Sequence, residues 1–163
     1  MIKINTAHIT EEGLLVEGTE SSDILELRPG ALPPIEASGD IRYHLFAVMA
    51  GQDLLVTGTA EVPLKTECVR CLTPMELLLK TEKLCLHFEN AVNREIIITD
   101  DIREELLLAM PQNFHCSEDC KGICPHCGAN LNREKCRCAV SAGETAPLSP
   151  DDSPWSALDA LKK

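Results

Sequence analysis

Six cysteines fall within the 23 residues from Cys116 to Cys138, and two more stand far upstream as Cys68-Val-Arg-Cys71. No other feature constrains the fold as tightly. Two thiolates two residues apart can grip one ion if the chain reverses between them. In Cys124-Pro-His-Cys127-Gly, Pro125 and Gly128 suit that reversal, and Gly128 can take the positive φ of a knuckle. Eight of the nine cysteines form close pairs: Cys68/Cys71, Cys116/Cys120, Cys124/Cys127 and Cys136/Cys138. This pattern reads as structural zinc, one or two ions. The ninth, Cys85, sits alone in an apolar run and reads as a small buried hydrophobe.

A disulfide scaffold is the competing reading of so many thiols. The odd count, the Cys-x-x-Cys spacing and a start, Met1-Ile2-Lys3-Ile4-Asn5, without a long apolar stretch speak against it. No apolar run approaches the roughly 20 residues of a membrane span. The expectation is a cytoplasmic protein with reduced thiols, no membrane and no small-molecule substrate.

The pairs can combine in several ways. The preferred partition makes Cys124, Cys127, Cys136 and Cys138 one local site. Cys68 and Cys71 then join Cys116 and Cys120 and staple the appendage to the upstream domain. A cross-braced exchange of pairs and a single zinc with spare thiols are the alternatives. His115 and His126 could stand in as ligands but read as exposed neighbours. A 23-residue finger cannot bury enough apolar area to hold itself together. Metal binding, on the order of 10 kcal/mol in finger peptides, would supply what its core cannot.

The rest of the chain reads as α+β. It is an antiparallel, strongly bent, barrel-like β-meander packed with one main helix, plus the Cys-rich knuckle and a short C-terminal helix. Residues 1–112 form the mostly β domain, with a helix over 100–110. Residues 113–138 are the zinc-binding module, 139–153 a flexible linker rich in Ala, Ser, Pro, Gly and acids, and 154–163 an amphipathic helix. Within the β domain, Ile2 to Ile9, Leu14 to Gly18 and Asp23 to Leu27 suggest short strands. Ile41, Tyr43, Leu45, Ala47 and Met49 alternate with Arg42, His44 and Phe46, a half-buried strand. Ala50-Gly51-Gln52-Asp53 supplies turn chemistry, and Leu54, Val56, Ala60, Val62 and Leu64 share the inner face of the return strand. A third run puts Met75, Leu77 and Leu79 on one parity and Leu84, Leu86 and Phe88 on the other, which a bulge near Glu82 would reconcile. Cys68 and Cys71 then sit where two long strands reverse.

Glu95 to Thr99 reads as a further strand. Asp101 and Glu104 suggest a capping box for the helix that follows, and Pro111 ends it. If this helix crosses the sheet, its end carries Cys116 and Cys120 toward the Cys68/Cys71 turn. In the tail, Trp155, Leu158 and Leu161 make one stripe, with Ser153 as N-cap and Pro154 as first helical residue. That stripe would dock on the protein's own sheet or bind a partner.

These pieces, in this order, resemble the YceD-like family of large ribosomal RNA subunit accumulation proteins. They are Cys68-Val-Arg-Cys71-Leu72 at a strand turn, the helix ending in Leu-Ala-Met-Pro111, Cys124-Pro-His-Cys127-Gly-Ala-Asn-Leu-Asn132, and Trp155-Ser-Ala-Leu158-Asp-Ala-Leu161. The resemblance covers about residues 40–163. It departs before the terminal helix, where Asp152-Ser-Pro154 replaces the family's frequent Asp-Pro-Arg. The resemblance implies a role in making or accumulating large-subunit ribosomal RNA.

Formal net charge is −11, and two closed four-cysteine zinc sites would take it to about −15. Such a chain is repelled by phosphate backbones. It suits a basic ribosomal protein or rRNA-processing factor as partner. The finger is the exception: Lys121, Arg133, Lys135 and Arg137 outnumber its acids by one. Those four are the candidate RNA contacts of a second reading, a zinc finger that touches rRNA directly. A zinc-stabilised interaction module without a ribosomal role is a third. Enzyme activity is not expected. A thiolate-only shell leaves no position for substrate water. There is no His-Glu-x-x-His, and no His-x-Glu precedes a Pro-Cys-x-x-Cys. Four thiolates would also accept iron.

Overall fold

A computed structural model describes residues 1–138 except Pro29, Ala31, Glu82 and Arg137. The expected linker at 139–153 and helix at 154–163 lie outside the described residues, as does Arg137.

The organising strand is β5 (Asp53–Glu67), 15 residues long. On one edge it pairs with β4 (Ile41–Ala50) and then β3 (Ile35–Ala37); on the other with β7 (Leu84–Phe88) and then β6 (Pro74–Lys80). β2 (Leu14–Glu20) adds to the far side of β4, so all six strands make one antiparallel sheet. A separate two-stranded ribbon joins β1 (Lys3–Asn5) to β8 (Glu95–Ile97). The helix α1 (Thr99–Leu108) follows β8 directly.

The α+β class and the antiparallel pairing stand as expected, but the barrel-like bend does not occur. No described strand joins the β2 edge to the β6/β7 edge. Closure is not needed. The inner face is already covered by α1 and the β1/β8 ribbon, and Ile2, Ile4, Ile98, Ile102 and Leu106 enter the same core as the sheet.

Period two explains that core. Ile41, Leu45 and Ala47 of β4 and Leu54, Val56, Ala60, Val62 and Leu64 of β5 are all inaccessible to solvent. At the matching position of β5 stands Gly58, with φ +150. A Cβ there would lie 2.1 Å from the His44 carbonyl oxygen, so only glycine lets β4 approach.

Next to Gly58 the third run changes phase. Between the Glu61–Lys80 and Gly58–Leu84 pairs, β5 advances three residues and its partner four. The one-residue slip that the parity change required is therefore present between β6 and β7. Thr81 fills the gap: its Oγ1 accepts from Ala60 N–H at 2.9 Å, and its own N–H donates to Ala60 O at 2.9 Å. Because Leu84, Leu86 and Phe88 point inward, Cys85 points out. It is exposed, contrary to the buried role that its apolar surroundings suggested.

Two further expectations fail for local reasons. Asp23 to Leu27 is not a strand; Ser22–Leu25 forms a 3-10 turn that buries Leu25 and ends at Glu26, φ 48. The Ser21 side chain accepts from Asp23 N–H, so local capping outcompetes pairing. The helix has no capping box: Ile98 occupies the N-cap and makes no side-chain cap bond. The Thr99 hydroxyl instead accepts from Ile2 N–H at 2.8 Å, which ties the helix start to the N-terminal strand. Among the described residues, no helix is long and apolar enough to cross a membrane.

Candidate metal centre

The end of the sheet where β5 turns into β6 carries Cys68 and Cys71. Leu72 N–H donates to Cys68 O at 2.8 Å and Cys68 N–H to Thr73 O at 3.0 Å, so the turn is closed from within. Leu72 takes φ +54 to complete it. The chain leaving α1 passes Pro111 and docks here. Val69 N–H donates to the Phe114 carbonyl at 2.9 Å, and the Phe114 side chain is buried. Two residues on, Cys116 meets Cys71 at 3.6 Å between sulfurs, and Cys120 meets Cys68 at 3.8 Å.

The eight paired cysteines form two groups, each with all its sulfurs within 4.8 Å of one another: Cys68, Cys71, Cys116 and Cys120, and Cys124, Cys127, Cys136 and Cys138. These are the quartets of the preferred partition. In the second, Cys136 lies 3.2 Å from Cys124 and 3.7 Å from Cys127. Four thiolates at about 2.3 Å from a central ion stand roughly 3.8 Å apart along the tetrahedral edges. The donor set and its spacing fit a tetrahedral, thiophilic cation. His115 and His126 are exposed and belong to neither group.

Local backbone shapes the second quartet. Gly128 N–H donates to Cys124 O at 2.9 Å, Cys124 N–H to Ala129 O at 2.8 Å, and Gly128 takes φ +71. This is the knuckle that Pro125 and Gly128 implied. Gly122 seats the module on the sheet: at φ +75, a Cβ there would come within 3.2 Å of Arg70 O. Arg70 in turn donates to the Cys120 carbonyl at 3.2 Å.

Without a cation the sulfurs divide into two kinds. Burial works against the Cys68 thiolate, yet the backbone N–H groups of Cys116, Cys71 and Arg70 bring its pKa down to about 6. The N–H groups of Cys127 and His126 bring Cys124 to about 6. The hydroxyl and N–H of Thr73 lower Cys71. Their neighbours move the other way. Cys120, then Cys71, push Cys116 up to about 12, and Cys127, then Cys136, push Cys138 up to about 12. Contact with Cys124 raises Cys136. Each quartet thus holds an anion readily but resists gathering four, and a divalent ion would supply the missing positive charge.

Sequence reasoning overlooked the groups around the sulfurs. Asn132 Nδ2 donates to Cys120 Sγ at 3.3 Å, and its Oδ1 accepts from Lys121 N–H at 2.8 Å. Asn130 Nδ2 donates to Thr73 Oγ1 at 3.1 Å, and that hydroxyl lies 3.3 Å from Cys71 Sγ. Both asparagines belong to the loop of one quartet and bond to the other. Two amides spaced i, i+2 after a knuckle were the available signal. Of the candidate RNA contacts, Lys121, Arg133 and Lys135 are exposed and make no ion pair among the described residues.

Known proteins share this part of the chain. The family model described as large ribosomal RNA subunit accumulation protein YceD matches residues 88–162, which include six of the eight paired cysteines. An uncharacterised protein of Mycobacterium bovis is 31% identical over 110 residues, 58% of this chain and 52% of its own length. The chloroplastic large ribosomal RNA subunit accumulation protein YCED homolog 1 of Arabidopsis thaliana is 45% identical over 53 residues, 32% of this chain and 16% of that protein. The Zea mays protein of the same name is 43% identical over 65 residues, 40% of this chain and 22% of that protein. The chain spans about half the length of the mycobacterial relatives it matches. No solved structure matches it.

Proposed function

The chain belongs to the YceD family, and from that premise we propose that it is a non-enzymatic factor in large ribosomal subunit biogenesis. It supports accumulation of large-subunit ribosomal RNA through protein partners, and two structural zinc ions hold its surface in shape. The observation that carries the reading is the match to the accumulation-protein family across the cysteine module. The quartets supply the reason for a structural role, since each would commit four thiols to one ion and leave no position open for water. Zinc suits four thiolates without a redox demand. The acidic body suits a basic ribosomal protein or processing factor in the cytoplasm.

Deletion of the gene tests this. The expected result is a fall in large-subunit relative to small-subunit rRNA, restored by the wild-type chain. Capture on the purified protein should retain a basic ribosomal protein or processing factor. Unaltered subunit profiles in the deletion strain would instead favour a module with no ribosomal role.

A second reading has one observation in its favour: Lys121, Arg133 and Lys135 are exposed on an otherwise acidic protein and make no ion pair among the described residues. Direct rRNA contact through them would give binding that weakens steeply with salt. With no Phe, Tyr or Trp between Cys116 and Cys138, such contact would read backbone or shape rather than stacked bases.

A further inference from the structure

The two quartets are separate in their ligands but not in their surroundings. The eight residues between Cys127 and Cys136 close the loop of the local quartet. Asn130 and Asn132 stand in that loop, yet their amides reach the other quartet. Asn132 bonds both Cys120 Sγ and Lys121 N–H. Asn130 bonds the Thr73 hydroxyl beside Cys71 Sγ, and its Oδ1 accepts from the Asn132 backbone N–H at 3.0 Å, which fixes the Asn130 side chain to the Asn132 main chain. Leu131 N–H donates to Gly122 O at 3.0 Å, and Ile123 bridges Asn130, so backbone bonds tie the segment to Gly122-Ile123.

Groups that hydrogen-bond to metal ligands orient them and tune their charge, and losing one typically weakens metal binding 10- to 100-fold. Here those groups are ordered by a loop whose ends are Cys127 and Cys136. A cation in the local quartet fixes those ends and removes the entropy that the loop would otherwise lose on docking. We infer that the segment Asn130-Leu131-Asn132 couples the two quartets, so that filling Cys124/Cys127/Cys136/Cys138 strengthens metal binding at Cys68/Cys71/Cys116/Cys120. Linkage requires the converse by the same factor. The coupling rests on the metal-binding reading of the preceding section.

The test uses the full metal-free chain under reducing conditions, with Co2+ as the probe and its thiolate charge-transfer absorption as the readout. Affinity at the Cys68 quartet is measured in the intact chain and in Cys136→Ser/Cys138→Ser. The same pair is then measured with Asn130→Ala/Asn132→Ala added. The expected result is a tenfold or greater weakening when the local quartet is disabled, and no such ratio once both amides are gone. Amides with a merely structural role would weaken binding equally in both backgrounds and leave the ratio intact, which overturns the proposal. Equal affinity with and without the local quartet overturns it too, while metal binding itself stands. Absence of Co2+ uptake in every chain removes the metal reading along with it. Circular dichroism of the sheet, expected to be unchanged, checks that the body of each variant is folded.

Discussion

The two quartets share a donor set and differ in how they are built. One draws its sulfurs from a strand turn and from a segment beyond the helix, with Cys68, Cys71 and Cys120 buried against Met75. The other takes all its sulfurs from 15 consecutive residues and buries only Cys124, whereas the first leaves only Cys116 exposed. The first therefore requires the sheet to be folded and the helix placed; the second requires only a knuckle and a short loop. A long-range site constrains the unfolded chain more than a local one, because closing the longer loop costs more entropy. The cross-chain quartet should act as a staple and the local one as a clip.

The largest effect should come from breaking the staple. Cys68→Ser is expected to cost more than about 4 kcal/mol in the docking of the module, as losses of structural metal sites do. Limited proteolysis should then show new cleavage near Pro111 while the sheet persists. Unchanged zinc content and an unchanged digest would erase the distinction between the sites. Cys136→Ser should do less: one metal equivalent is lost, the loop after Cys127 loosens, and the chain near Pro111 stays protected. A chelator added to the wild type should likewise extract the less buried local quartet first, with two kinetic phases in metal release.

Acidity should affect both sites in the same direction. At neutral pH, Cys68 and Cys124, at about 6, are already thiolates in the metal-free chain. Cys116 and Cys138, at about 12, still carry protons that a metal must displace. Apparent affinity therefore falls as pH falls, and below about pH 6 each site has one more proton to release. A titration series with Co2+ should show the slope of log affinity against pH steepening there by about one. The smallest effect should follow Thr73→Ala. It removes a hydroxyl that lowers the Cys71 pKa and holds Asn130. The expected weakening is about 1 kcal/mol and larger at the cross-chain quartet than at the local one. An equal change at the local quartet would show that the two are less distinct than their construction suggests.

What the sequence revealed follows the same division. The local quartet is visible in Cys124-Pro-His-Cys127-Gly, since spacing and turn residues lie side by side. The cross-chain quartet was accessible only because period two in β4 and β5 located Cys68 at a strand reversal. The slip between β6 and β7 could also be inferred, from the parity of Leu79 and Leu84. The plug that accommodates it could not: nothing near Thr81 announces that its hydroxyl will meet Ala60 N–H. For the same reason the capping box misled. Asp101 and Glu104 have the right spacing, but the N-terminal strand already offers Ile2 to Thr99. Asn130 and Asn132 escaped notice because their partners, Thr73 and Cys120, are chosen by tertiary packing rather than by spacing.

The phase change at Thr81 has a consequence for how faults travel through the sheet. A register shift in an uninterrupted strand would carry every downstream side chain to the wrong face. Here β7 and β6 grip separate halves of β5, so a slip of one half need not be passed to the other. The turn that presents Cys68 and Cys71 takes its alignment from β6 and β3, not from β7. Mutational drift at the far hairpin can thus accumulate without misplacing the sulfurs.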